Sequence, residues 1–310
     1  MSIITTKAHL GRETAHHFWD RENVPALHVE PGEEFSLELR DGSNGQITPT
    51  TTAGDLVSLD FQQMDPLTGP IWVEGARPGD ALCVEILDIS LAKWGWSAII
   101  PGFGLLSDYF PDPVVRGWDL TSGFFELVNA ARFELSPMLG VMGVAPKENG
   151  NYSSVVPTNA GGNIDVKYLQ AGSRIYLPVF NDGALLSAGD AHALQGDGEL
   201  SGTAIECEAD VVIRVTLAPS MDLVAPFIDT IEVKDPLKTS YRTFLGVGPD
   251  LFEAARQASL RAVDGVAKAL GVDASEAYIL LGTIAELRIH EIVDRPNWVV
   301  GCMVPSSVFK

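Results

Sequence analysis

A mainly β, α+β fold is expected of this chain: a β-sandwich or barrel-like core, an irregular aromatic loop, and a C-terminal helical segment. Three observations predict it. Short apolar segments that alternate with polar residues recur through the first two-thirds, each launched by a glycine turn. Residues 93–125 concentrate aromatics without any period. A long amphipathic run then follows Pro249. The division expected is a β-rich region over 1–220 that holds the aromatic loop and an α+β region over 221–310 packed on it, the two merging into one unit if the core is continuous.

Residues 24 to about 90 read as strands. Pro31-Gly32 precedes Glu33–Leu39, where Phe35, Leu37 and Leu39 alternate with polar residues. The same grammar returns at Pro78-Gly79-Asp80 before Ala81–Leu87, and at Ala171-Gly172-Ser173 before Arg174–Val179. Asn181-Asp182-Gly183 then separates Arg174–Phe180 from Ala184–Ser187, which predicts a hairpin. Between these segments, residues 93–125 hold Trp94, Trp96, Phe103, Tyr109, Phe110, Trp118, Phe124 and Phe125, broken by Pro101, Pro111 and Pro113. A long irregular loop in a folded domain is often a functional cover, and the alternatives are an aromatic satellite core or a subunit contact. Pro249-Asp250 opens a helix that Gly271 stops after Leu270. Asp273 and Glu276 form a capping-box pattern for a second helix through Ile292, with His290 on its surface.

The richest chemistry lies in Gly189–Glu199, where Asp190, His192, Asp197 and Glu199 are spaced by glycines. In an extended chain Asp190 and His192 share one face, because strand side chains alternate. Upstream, Asn163 and Asp165 flank Ile164 in the same rhythm. Carboxylates with an imidazole suit a divalent metal or general acid–base work; a polar glycine turn with a solvated His is the plain alternative. The candidate ligands are His192, Asp165 and Asp190, with zinc favoured by the imidazole and calcium by the carboxylates. Glu199 and Asp197 are candidate bases, and Asn163 is a candidate substrate-binding donor. Trp96 and Phe103 of the aromatic loop are expected to cover the site and restrict substrate size.

Composition bounds the rest. A formal charge of −20 argues against nucleic acid and against an anionic membrane surface as partners. No apolar run approaches the ~20 residues that span a bilayer, and Met1–Leu10 shows no signal-peptide core. Cys83, Cys207 and Cys302 stand far apart in apolar settings, which fits packing in a reducing cytoplasm. No Gly-x-Ser-x-Gly elbow occurs. His16, His17 and His28 are expected in surface or core roles.

Several longer motifs occur together: Gly161–Leu169 (GGNIDVKYL), Gly172–Val179, Gly183–Glu199 followed by Ile205-Glu206, Gly69–Asp80 (GPIWVEGARPGD), Trp94-Gly-Trp96, Ile100–Leu105, and Pro137–Pro146. With these together, from about the Trp19-Asp20 region to the C-terminal Ile-rich helix, the chain resembles the acetamidase/formamidase family of amide hydrolases. The resemblance implies a small linear amide as substrate, and it adds Glu74 of the Gly69–Asp80 segment as a site candidate. Where many relatives carry a His before Gly-Pro-Ile, this chain has Met64-Asp65-Pro66, which leaves another amide or a lactam open. A non-catalytic, metal-containing small-ligand-binding β-sandwich is the alternative from a different class. A homo-oligomer, dimer or tetramer, is expected because the aromatic loop would pack on a partner.

Overall fold

In the computed structural model, which describes residues 6, 8–104, 107, 110–126, 132–199, 201–230, 240–272, 274, 277 and 285–309, strands dominate. The main sheet runs Gly161–Asn163, Met138–Gly143, Leu186–His192, Glu206–Ala218, Ala81–Ile99, Arg174–Pro178, Phe227–Asp229, Tyr241–Gly248, Trp298–Pro305 and Glu286–Glu291, each antiparallel to the next. Its hydrogen bonds therefore pass from the β-rich first region into the C-terminal one at Arg174–Pro178 and Phe227–Asp229.

Alternation explains the core. In Glu34–Leu39, Phe35, Leu37 and Leu39 are fully buried while Glu34, Ser36 and Glu38 are half-buried. That strand lies against Val211 and Ile213 of Glu206–Ala218, and the same apolar cluster takes in Val84, Leu177 and Leu186. Leu186–His192 is buried at every residue, because it is held between Met138–Gly143, Leu67–Val73 and the start of Glu206–Ala218. A continuously buried strand is where a charged side chain needs partners. This strand carries Asp190 and His192.

The helix Leu251–Leu270 begins and ends as its sequence predicts. Asp250 accepts from the Glu253 N–H at 2.8 Å, and Gly271 closes the other end in the left-handed region. Ala254, Ala258 and Ala262 face Tyr241–Gly248 and Trp298–Pro305. The approach is close: a Cβ at Gly246 would overlap the Ala254 carbonyl.

Three expectations are corrected. The turn at Asn181-Asp182-Gly183 exists, but its flanking strands do not form a hairpin. Gly183, Ala184 and Leu185 all have φ between 58° and 71°, and the chain turns away to pair Leu186–His192 with Met138–Gly143 instead. Residues 93–125 are only partly irregular, since Ala81–Ile99 continues through Trp94 and Trp96 and pairs with Val114–Asp119. Tyr109 lies outside the described residues, as do Asp273 and Glu276 of the second helix. Ala274 and Ala277 are helical, but Glu286–Glu291 is a strand paired with Trp298–Pro305, so His290 is fully buried in a sheet and not on a helix surface. Sheet pairing overrides local helical pattern there.

Candidate active site

The acids and the imidazole converge because the backbone bends to present them. Asp65, Asp165, Asp190 and Glu199 all have φ between 45° and 53°, a region that side-chain-bearing residues seldom occupy. Such strain is held in place only where the surroundings over-determine it, and it clusters at functional sites. For Asp165 the anchor is Gly140, whose carbonyl accepts from the N–H of Ile164 at 3.1 Å and of Asp165 at 3.2 Å.

His192 is the centre. Its Nε2 lies 2.9 Å from Asp190 Oδ2 and 3.1 Å from Glu206 Oε2, yet neither contact has hydrogen-bond geometry. Its Nδ1 is 2.7 Å from Gln195 Oε1, and Gln195 Nε2 donates to the Asp165 carbonyl at 2.9 Å. A carbonyl only accepts, so the Gln195 amide is fixed and its oxygen faces Nδ1. Nδ1 therefore carries the proton, and Nε2 is left to the two carboxylates.

Two oxygens and a ring nitrogen drawn together without hydrogen bonds fit a shared cation. The orphaned atoms agree: Asp165 Oδ1 and Oδ2, Asp190 Oδ1, His192 Nε2 and Glu206 Oε2 are buried with no hydrogen-bond partner among the described residues. Within 4.8 Å of one another stand ligand atoms of Asp165, Asp190 and His192; of His192, Glu199 and Glu206; and of Asp165, Glu199 and Asp294. Glu206 is oriented by its other oxygen, which accepts from the Ala204 N–H at 2.8 Å.

Burial sets the electrostatics. It drives the carboxyls of Asp65, Asp165, Glu199 and Asp294 well above the usual range, with neighbouring carboxylates adding to it. Glu206 is pushed up to about 7 by burial against the pull of His192. Burial opposes charge on His192 as well, but Asp190 and Glu206 outweigh it and hold the imidazole well above its ordinary value. A divalent ion would offset the charge that these buried carboxyls carry when ionised.

A cavity with about 30 Å³ free opens onto the cluster. Its lining combines the polar Asp65, Asp190, Glu199, Glu206, Asp294 and Asn163 with the apolar Phe61, Met64, Trp96 and Phe103. The Trp96 indole is locked by donating to Asp41 Oδ1 at 3.0 Å; Asp41 also caps its own turn through the N–H of Ser43 and Gly45. Phe103 packs over Gly202, where a Cβ would meet its ring at 2.5 Å.

The structure thus brings together His192, Asp165, Asp190, Glu199, Asn163, Trp96 and Phe103. It places two other candidates elsewhere. Asp197 turns away to Lys167 at 2.7 Å, Arg288 at 3.5 Å and His290 at 3.5 Å. Despite burial, its contacts with His290 and Lys167 hold it down to about 2, which suits an ion-pair anchor and not a base. Glu74 is on the surface, 2.9 Å from His28 and away from the cavity. Glu206, Asp294, Glu291 and Gln195 were missed. Glu206 follows the His192 segment in a strand of its own; Glu291 lies where a helix was expected, and Asp294 just beyond that helix's expected end at Ile292. In that turn, Glu291 Oε1 accepts from the N–H of Val293 and of Asp294, so it positions Asp294. Asn163 Nδ2 is engaged, donating to Asp294 Oδ2 at 3.0 Å.

Comparison with known proteins follows the same lines. The sequence model of the Acetamidase/Formamidase family matches residues 4–153 and 149–310. An acetamidase of Mycolicibacterium smegmatis is 30% identical, the match covering 86% of this chain and 85% of that protein. The crystal structure of an acetamidase from Bacillus halodurans superposes with a TM-score of 0.89 at 31% identity, over 97% of this chain and 98% of that one. A gamma lactamase from Delftia acidovorans superposes with a TM-score of 0.68 at 28% identity, over 96% of this chain and 90% of that one. Matched along both halves by the family's own pattern, the chain belongs to the acetamidase/formamidase family.

Proposed function

We propose that this chain hydrolyses short linear amides of the formamide and acetamide type to carboxylate and ammonia, with a divalent cation held by His192, Asp190, Glu206 and Asp165. The observation that carries this reading is the approach of His192 Nε2 to two carboxylate oxygens within 3.1 Å without hydrogen-bond geometry. Such a cation, when bound, supplies Lewis-acid polarisation of a carbonyl and lowers the pKa of water. The imidazole favours zinc; the preponderance of carboxylate oxygen also accommodates calcium. Glu199 lines the cavity beside these groups and is the residue to take a proton from water and pass it to the amide nitrogen.

The test is ammonia release. Purified protein should liberate ammonia from formamide and acetamide, lose that activity on chelation, and regain it with zinc. His192→Ala should lower metal content by elemental analysis without unfolding the chain. No ammonia from any short amide would reject the reading.

A lactam remains the second reading, supported by the likeness to a gamma lactamase. Ring opening of a lactam frees no ammonia, so product analysis separates the two.

The aromatic residues of the cavity lining are assigned to acyl-chain size. One methylene in an apolar pocket is worth about 1–3 kcal/mol, so formamide, acetamide and propionamide should differ by tens to a couple of hundredfold. Phe103→Ala should reduce the formamide-to-propionamide ratio of kcat/KM by about tenfold. Phe103 is the cleaner site for this, because Trp96 also holds Asp41. An unmoved ratio would assign Phe103 to packing alone.

The reading includes a homo-oligomer, dimer or tetramer, in a reducing compartment such as the cytoplasm. Exposed Phe252, Leu260 and Leu287 around one groove support the first, and three buried free cysteines support the second.

A further inference from the structure

Asn163 closes the strand Gly161–Asn163 with an amide whose two ends are served unequally. Its Nδ2 donates to Asp294 Oδ2 at 3.0 Å, to Asp65 Oδ2 at 3.3 Å and to the Val155 carbonyl at 3.3 Å. The Val155 carbonyl only accepts, so the nitrogen end cannot be exchanged for the oxygen. Oδ1 is then the free end: buried, with no hydrogen-bond partner among the described residues. The residue is 4% exposed and lines the cavity. Native structures seldom leave a buried amide oxygen unpaired, and such exceptions ask for a ligand.

Among the described residues that oxygen finds no hydrogen-bond partner. Asp65 and Asp294 already accept from Nδ2; of the other polar residues lining the cavity, Asp190, Glu199 and Glu206 are carboxyls drawn toward His192 or one another, and Thr203 Oγ1 donates to the Ala98 carbonyl at 3.1 Å. A primary carboxamide brings what is missing, two N–H donors on the atom to be expelled. Resting on the amide-hydrolase reading, we propose that Asn163 Oδ1 accepts a hydrogen bond from the substrate's amide N–H and selects carboxamides over esters of similar size. This differs from polarising the carbonyl, for which Asn163 would need the N–H that the two aspartates and Val155 already occupy. The contact also favours the reaction: the nitrogen gains a proton as the C–N bond breaks, its N–H bonds become stronger donors, and a fixed acceptor is worth more then than in the ground state.

The experiment compares formamide with methyl formate, which has no N–H, on the metal-loaded parent and on Asn163→Leu. Leucine removes donor and acceptor together, so any disorder of Asp65 or Asp294 lowers both rates alike and cancels in their ratio. The expected result is that kcat/KM for formamide falls about 10–100-fold more than for methyl formate, with metal content unchanged. An unmoved amide-to-ester ratio in a folded variant overturns the proposal and leaves amide hydrolysis standing. So does loss of metal from the variant, which would make Oδ1 a ligand of the cation. No ammonia from formamide by the parent overturns the amide reading and this proposal together. If the variant does not fold, inhibition of the parent decides: acetamide should bind at least about tenfold more tightly than methyl acetate, and equal inhibition constants overturn the assignment.

Discussion

Gly140→Ala is expected to leave the protein folded, abolish cation binding, and lower amide turnover by about 10³-fold or more, the equivalent of the several kcal/mol a catalytic metal supplies. Gly140 sits in the buried strand Met138–Gly143 across from the acids. A Cβ there would strike Asp190 Oδ2 and lie 2.7 Å from Asp165 Oδ1 and 3.1 Å from His192 Cε1. One methyl group would thus occupy the space between three of the groups assigned to the cation. The backbone itself is permissive, because Gly140 is not among the residues with positive φ, and its carbonyl can still hold Ile164 and Asp165. The damage is local crowding of carboxylates, so Tm should move by only a few degrees while elemental analysis finds the metal gone. Retained metal at parental stoichiometry would mean that the cation sits elsewhere, nearer Glu199 and Asp294.

The sequence carried the local elements of this site better than its assembly. Alternation placed Asp190 and His192 on one strand, and the strand is there with both side chains buried. Period and caps located the helix Leu251–Leu270 to its last residue, since a capping Asp and a left-handed Gly act on their immediate neighbours. Which strands pair is decided over long distances and is invisible to such signals. Arg174–Pro178 and Leu186–His192 are separated by a good turn, yet each found other partners. For the same reason Asp294 and Glu291 were unreadable: they reach Asp165 and Asn163 only because the last two strands fold back onto the sheet. Asp197 shows the opposite failure. Spacing paired it with Glu199, but the left-handed turn at Gly198 and Glu199 sends the two carboxyls to different sides, one to Lys167 and His290 and the other to the cavity. Family membership favours an enzyme over a non-catalytic binding module, which composition and spacing had left open.

Glu199→Gln is expected to leave the metal in place and lower kcat by about 10²–10⁴-fold, the usual contribution of a positioned general base. Glu199 is buried at 7% exposure, lines the cavity, and shares its neighbourhood with Asp165, Glu206 and Asp294. Burial and then Asp165 raise its carboxyl well above the ordinary range, so it takes up a proton more readily than a solvated glutamate. A base that holds the proton of water well enough to deliver it to a departing amine needs that property. The backbone holds it rigidly: Glu199 N–H donates to the Gly196 carbonyl at 3.2 Å, and its own carbonyl accepts from the Gly202 N–H at 2.7 Å. Glutamine keeps the shape and one acceptor oxygen while removing the site for the proton, so the fold and the cation have no reason to leave. Were Glu199 instead a ligand, metal content and turnover would fall together, and elemental analysis alongside initial rates distinguishes the two. Full activity in the variant would pass the role to Asp294, which stands in the same group of acids and the same cavity wall, and not to Asp197 or Glu74, whose carboxyls are committed to Lys167 and His28.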